Sequence, residues 1–203
     1  MIGRVGIGMM VAGVLVYGAW TLWFGTRVWC PVDVPIDLRN GMRTKVDDFR
    51  LNVSGPYDIE IEASASDGMM LKALACSLGV AALWSQQPCS APSVLRLVWV
   101  VTSNGKVVAQ GSSDEISGGA STGGSVSRLI GSFRGERGSH YGVEVESRSN
   151  LVGASTRLKV ESGGTAYEYF LVAGGLIRWC CAGLAGLGLA FLIFAYIAGR
   201  KSR

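Results

Sequence analysis

Tyr57-Asp58-Ile59-Glu60-Ile61-Glu62-Ala63-Ser64 carries an apolar residue at every second position, with acidic or hydroxyl residues between them. That is the period of a β-strand with one dry face and one wet face; an amphipathic helix would space its apolar residues three and four apart. The same alternation runs through Phe49, Leu51 and Val53, through Tyr141, Val143 and Val145, and more briefly through Leu158 and Val160. V-L-R-L-V-W-V-V (94–101) reads as a more fully buried strand. It leads through Asn104-Gly105, a favoured two-residue hairpin turn, into K-V-V-A-Q (106–110). Val32–Leu38, where Pro35 suggests an edge, and Arg128–Arg134 bring the set to about eight short strands. Turn-separated strands without amphipathic helices between them predict an all-β domain, a β-sandwich, and argue against a parallel α/β sheet.

Two insertions interrupt the strands. Residues 114–127, D-E-I-S-G-G-A-S-T-G-G-S-V-S, are a Gly/Ser loop that cannot bury a core. Residues 69–84, the apolar part of an insertion running to 89, form a short helical candidate with one charge, Lys72. This run is short for a membrane crossing and is expected to pack against an open end of the sandwich.

Outward from this domain the composition changes. Val5 to Phe24 holds no charged residue, and neither does Trp179 to Gly199. A helix of about 20 apolar residues crosses the hydrocarbon core, where bare peptide groups find no water. Trp20, Trp23 and Trp29 mark one interface of the first span, and Arg178 with Trp179 marks the start of the second. The first run is too long for a signal-peptide core and ends on aromatics (W-T-L-W-F), so an uncleaved anchor is expected. The predicted order is a cytoplasmic tail (1–4), a span (5–25), the extracytoplasmic sandwich (26–178), a span (179–199) and a second tail (200–203).

Charge orients the chain. Residues 26–178 hold 15 basic and 15 acidic residues, so the formal net charge of +4 belongs to Arg4, Arg200, Lys201 and Arg203. Positive flanks stay cytoplasmic, while long domains translocate with little regard to charge. Both termini are therefore expected inside and the sandwich outside. A neutral middle domain also excludes a basic nucleic-acid grip.

Cys30, Cys76 and Cys89 fall in the outer domain, where oxidation is normal. Cys76 and Cys89 enclose twelve residues, and closing a loop of that size is worth about 3 kcal/mol in the chain-entropy model. Spacing alone also permits Cys30 to pair with either, but Cys30 adjoins the first span and is left free or intermolecular. A redox motif would need Cys-x-x-Cys, and zinc would need more ligands than one His and scattered thiols. C-S-L-G-V-A-A-L-W-S-Q-Q-P-C (76–89) thus reads as a stapled hairpin, and Cys180 and Cys181 as packing residues.

Chemistry is sparse. G-A-S-T-G (119–123) matches G-x-S-x-G, with Glu136 and His140 following, but it lies in a Gly/Ser loop with no helix after it. His140, the single histidine, is expected to be an exposed strand residue. Asp58, Glu60 and Glu62 form an acidic row that a one-sided sheet requires of its wet face. Gly135 and Gly138 within F-R-G-E-R-G-S-H-Y (133–141) suit a tight turn. Asn52-Val53-Ser54 is a glycosylation sequon, relevant only in a eukaryotic secretory pathway. No cofactor fingerprint, metal-ligand pair or catalytic constellation is predicted.

Y-D-I-E-I-E, C-S-L-G, L-V-W-V-V-T-S-N-G-K-V-V-A-Q-G-S-S and G-S-F-R-G-E-R-G-S-H-Y-G-V-E-V together resemble a family of uncharacterised bacterial membrane-anchored proteins with an extracytoplasmic β-sandwich. The resemblance spans residues 57 to 145. It implies a bacterial inner-membrane setting and a paired Cys76 and Cys89, and it carries no activity. The expected function is a non-enzymatic interaction or ligand-binding module, a candidate subunit of a membrane complex. Its expected partners are the lipid bilayer, a membrane or periplasmic protein, and a homo-oligomeric copy. The alternatives are a serine-dependent hydrolase using the Gly/Ser loop and a ligand-sensing accessory subunit. Within the second span, Ala182, Gly186 and Ala190 recur every fourth residue and are expected to form the helix-packing stripe, meeting Gly8 and Ala12 of the first.

Overall fold

The alternating segments become strands that pair in two antiparallel sheets. A computed structural model describes residues 2–27, 29–65, 71–80, 89, 93–115, 118–122, 124–151 and 154–201. Its elements are α1 (Ile2–Gly25), β1 (Val32–Pro35), β2 (Arg43–Arg50), β3 (Gly55–Ala65), α2 (Leu71–Leu78), β4 (Leu97–Ser103), β5 (Lys106–Ser112), β6 (Gly119–Thr122), β7 (Ser125–Gly135), β8 (His140–Ser147), β9 (Ala154–Ser162) and α3 (Gly164–Lys201). One sheet has five strands in the order β1-β9-β3-β7-β6, and the other has four in the order β2-β8-β4-β5. This is the two-layer arrangement of a β-sandwich.

Alternation decides which side chains fill the space between the sheets. Tyr57, Ile59, Ile61 and Ala63 of β3 are buried, as are Leu97, Trp99 and Val101 of β4 and Tyr141, Val143 and Val145 of β8. In β7 the inward parity changes partway. Ile59 pairs with Gly131 and Glu60 with Leu129, so Ile130 is the extra residue of a β-bulge. The bulge serves Trp99, whose indole N–H donates to the Ile130 carbonyl at 2.8 Å. A Cβ at Gly131 would lie 2.2 Å from the indole, so only glycine admits the ring. Across the sheets, the Phe133 and Tyr141 rings lie 5.4 Å apart, and the Tyr57 hydroxyl donates to the Val53 carbonyl at the corner entering β3.

Four expectations need adjusting. The strand foreseen at Phe49–Val53 ends at Arg50, and most of β2 lies upstream, in R-T-K-V-D-D-F-R. A register shift between Val46 and Phe49 hides its alternation, with Asp48 in the left-handed region (φ 58°). The Gly/Ser loop contributes an edge strand, β6, paired to β7, because small residues still offer backbone groups to a ladder. Of the helical candidate at 69–84, Leu71–Leu78 is α2; residues 69–70 and 81–84 lie outside the described set. The second helix begins at Gly164, well before Trp179, since Arg178 breaks an uncharged run without breaking a helix. The Asn104-Gly105 hairpin forms as expected, with φ of 50° and 73°.

The chain divides into two units, Met1–Arg27 with Tyr167–Arg203, and Val28–Ala166. The sandwich therefore stops short of residue 178. Arg4–Gly25 and Tyr169–Ala198 are long and apolar enough to cross a membrane, and with 11% of each stretch buried neither is a core helix.

Candidate functional site

Four constellations in the structure bear on function. The first is the corner built around α2. Cys76 and Cys89 are joined by a disulfide with their Cα atoms 5.6 Å apart. The α2 C-terminus closes in a Schellman arrangement: Val80 N–H reaches the Ala75 carbonyl and Gly79 N–H that of Cys76, both at 2.9 Å, with Gly79 at φ 80°. Arg128, pointing inward from β7, extends its fork into this corner. Its guanidinium donates to the carbonyl of Leu78 at 2.5 Å, the hydroxyl of Ser93 at 3.0 Å and the carbonyl of Ser113 at 2.7 Å. Desolvation pulls its pKa down, with the Asp114 charge opposing. A buried cation held by carbonyl dipoles ties helix, disulfide loop and sheet together. Periodicity marked Arg128 as a strand residue without revealing this role.

The second lies where the β2 bulge meets β8. Asp48 places its carboxylate 2.5 Å from Nδ1 of His140. The Ser103 hydroxyl donates to the His140 backbone carbonyl at 2.8 Å. His140 thus has a carboxylate partner, and it is Asp48, not Glu136. Glu136 offers its backbone N–H to the Tyr141 hydroxyl. The G-A-S-T-G serine, Ser121, sits on β6 of the five-stranded sheet, whereas His140 sits on β8 of the other. A nucleophile elbow requires a strand-to-helix turn. Here the motif leads through a strand into another strand.

The third is the wet face of the five-stranded sheet. Asp58 stands directly across from Glu161, Glu60 from Lys159 and Glu62 from Arg157. Lys159 makes an ion pair with Glu62, and Arg157 with Asp33 at 2.6 Å. Desolvation raises the pKa of Glu60, with the Glu161 charge adding, and that of Glu161, with the charges of Asp58, Glu62 and Asp33 adding against Lys159, whereas hydrogen bonding from Lys159 lowers that of Glu62. Cys30 is a free thiol beside this face. Desolvation and the charges of Glu161 and Asp33 push its pKa up to about 11, so it stays protonated and unreactive at neutral pH. Among the described residues no three His, Cys, Asp or Glu side chains converge as metal ligands would.

The fourth is the helical unit. A Cβ at Gly6 would lie 2.7 Å from the Gly188 carbonyl oxygen, one at Gly13 3.0 Å from that of Cys181, and one at Gly174 3.0 Å from the Trp20 indole nitrogen. Steps of seven along α1, from Gly6 to Gly13 to Trp20, match steps of seven back along α3, from Gly188 to Cys181 to Gly174. The helices are antiparallel, and seven residues is the repeat of a left-handed pair. The expected four-residue stripe is corrected accordingly. Ala182, Gly186 and Ala190 are exposed, and neither Gly186 nor Gly8 has an atom within 4 Å of its added Cβ. Cys181 is buried in the seam, as a packing residue should be, while Cys180 is exposed. Two clefts, each of about 340 Å³, open along the pair, and both are walled in part by Tyr17 and Arg178.

Fold and ends together define a β-sandwich bracketed by two long apolar helices. No family model matches the chain, and no curated protein matches it. It is similar to a crystallised, uncharacterised protein from Sulfurospirillum deleyianum, at 14% identity over 65% of this chain and 96% of that one, with a TM-score of 0.50. That likeness concerns the fold alone.

Proposed function

We propose that the chain is a two-pass protein of the bacterial inner membrane, with both termini cytoplasmic and the sandwich outside. There it serves, without chemistry of its own, as an interaction or ligand-binding module for another membrane or periplasmic protein. The observation that carries this reading is the antiparallel helix pair enclosing the sandwich in sequence. Two antiparallel crossings return the chain to its starting side, so the inserted domain occupies the other. The basic residues flanking the spans support a cytoplasmic starting side. The disulfide supports an oxidising compartment, and the resemblance to bacterial membrane-anchored proteins agrees with it.

Cysteine labelling tests the topology. In chains whose Cys30, Cys180 and Cys181 are serine, a membrane-impermeant maleimide applied to spheroplasts should modify Asn104→Cys at once and Ser202→Cys only after lysis. Labelling of Ser202→Cys in intact spheroplasts would sink the in–out–in arrangement. Photo-crosslinkers at exposed sandwich positions such as Val107 test the module. One discrete protein or small-molecule adduct is expected, and turnover of an ester or amide substrate by the purified chain would overturn the non-enzymatic reading.

A further inference from the structure

The register of the helix pair gives Arg178 an unexpected depth. Continuing the steps of seven, Val16 comes level with Arg178 and Arg4 with Ala190. Twelve residues of helix separate those two levels, about 18 Å at 1.5 Å per residue. A hydrocarbon layer is about 30 Å thick, so a pair that crosses it cannot keep the Cα atoms of both Arg4 and Arg178 outside. Their guanidinium groups must reach outward along the helices, as long cationic side chains do near a membrane surface. The remaining depth of about 12 Å is shared between the two ends, so the Arg178 Cα stands below the outer boundary, level with the middle of the α1 apolar stretch, and its side chain reaches outward to the headgroup layer. The one acidic residue in the sequence of the helical unit, Glu168, lies ten residues before Arg178 on α3, about 15 Å away along the axis and beyond the reach of an ion pair.

The two clefts meet at this cation. On one side, toward the α3 C-terminus, the wall is apolar and short in side chain: Gly13, Val14, Ala182 and Ala185. On the other, toward the loop end of α1, it is aromatic with a hydroxyl: Trp20, Thr21 and Phe24 with Phe170. From the hydrocarbon outward, the surface thus offers a groove for an alkyl chain, then a positive charge, then an aromatic wall in which Trp20 is the amphipathic ring typical of the headgroup layer.

We propose that this surface binds one net-negative phospholipid of the outer leaflet, its phosphate on the Arg178 guanidinium and the start of one acyl chain in the cleft at Gly13, Ala182 and Ala185. Guanidinium matches phosphate geometry, and an uncompensated cation favours a lipid of net negative charge over a zwitterion. Ala182 is small because the acyl chain, and not the facing helix, occupies the space beside it.

The inference rests on the membrane-crossing reading, and the test separates the two. The full chain, purified in a mild detergent, is titrated with dioleoyl phosphatidylglycerol or dioleoyl phosphatidylcholine, and bound lipids are counted by native mass spectrometry. One phosphatidylglycerol should be retained in preference to phosphatidylcholine. Arg178→Gln should weaken that retention about tenfold or more, the loss expected for a charged hydrogen bond, while Arg178→Lys keeps part of it. Ala182→Leu, which fills the apolar cleft, should weaken both lipids. Helical circular dichroism checks that each variant is folded. Equal retention by wild type and Arg178→Gln overturns the site. So does displacement of the lipid by inorganic phosphate alone, or capture of a protein helix or a second copy by a photo-crosslinker at Val14. Alkaline carbonate extraction of the same wild-type chain from membranes reads the other question. A chain that washes off defeats the membrane reading, whereas a retained chain without lipid preference defeats only the site.

Discussion

At the scale of single residues, burial and charge set the expectations. Arg128 donates to the carbonyls of Leu78 and Ser113, which an alanine would leave without that donor. Arg128→Ala should lower unfolding stability by about 2–4 kcal/mol, read from thermal unfolding followed by near-ultraviolet circular dichroism. Gly131→Ala should cost about 3 kcal/mol, because its methyl would meet the Trp99 indole and two backbones would have to move. The acidic face produces a pH dependence. Desolvation raises the pKa of Glu60 and Glu161 above 4.5, so the folded state binds these protons more tightly than the unfolded chain. Their contribution to stability is present below that value and is lost as pH rises through the folded-state pKa. Glu62, held low by Lys159, contributes in the opposite sense, losing its stabilisation as pH falls. Glu161→Gln removes a carboxylate that faces Asp58 and should raise the melting temperature at pH 7 while leaving it nearly unchanged at pH 4. A lower melting temperature at pH 7 would contradict this assignment.

At the scale of elements, cross-links and helix seams carry the predictions. The disulfide spans a sequence separation of 13 and fastens α2 to the loop before β4. Reduction should destabilise the sandwich by about 3 kcal/mol, measured as the shift of the unfolding transition with and without dithiothreitol. In the helix pair the substituted position matters more than the residue type. Gly188→Leu places a large side chain against the Gly6 carbonyl and Met10 and should separate the helices. Gly186→Leu points into open space and should leave the pair intact. A cysteine pair at residues 13 and 184, whose Cβ atoms would stand 3.7 Å apart, should cross-link in the Gly186 variant and fail in the Gly188 variant. The four-residue stripe was readable in the sequence and was the wrong stripe. Gly and Ala are frequent throughout α3, so composition admits several small-residue faces, and only the facing helix selects among them.

At the scale of the whole molecule, the order of parts was written in the chain. Period-two alternation marked the strands at Tyr57–Ser64 and Tyr141–Val145, because a strand with one buried face has no other way to separate apolar from polar side chains. Uncharged runs of membrane-spanning length marked both terminal helices, and Asn104-Gly105 marked its hairpin. Local physics suffices for such features, since each depends on neighbours a few residues away. Tertiary structure alone decided what depends on distant partners. It set the strand order, which places β9 beside both β1 and β3, and the bulge at Ile130 that admits Trp99. It made β6 from a Gly/Ser segment whose side chains carry no strand signal. It brought Asp48 to His140 across 92 residues, and Arg128 to Leu78 across 50. It also chose a seven-residue seam for the helices, leaving Arg178 in an outward-facing groove. Each of these is a choice among sequence-compatible pairings, settled by which distant surfaces pack closely while pairing most of the polar groups they bury.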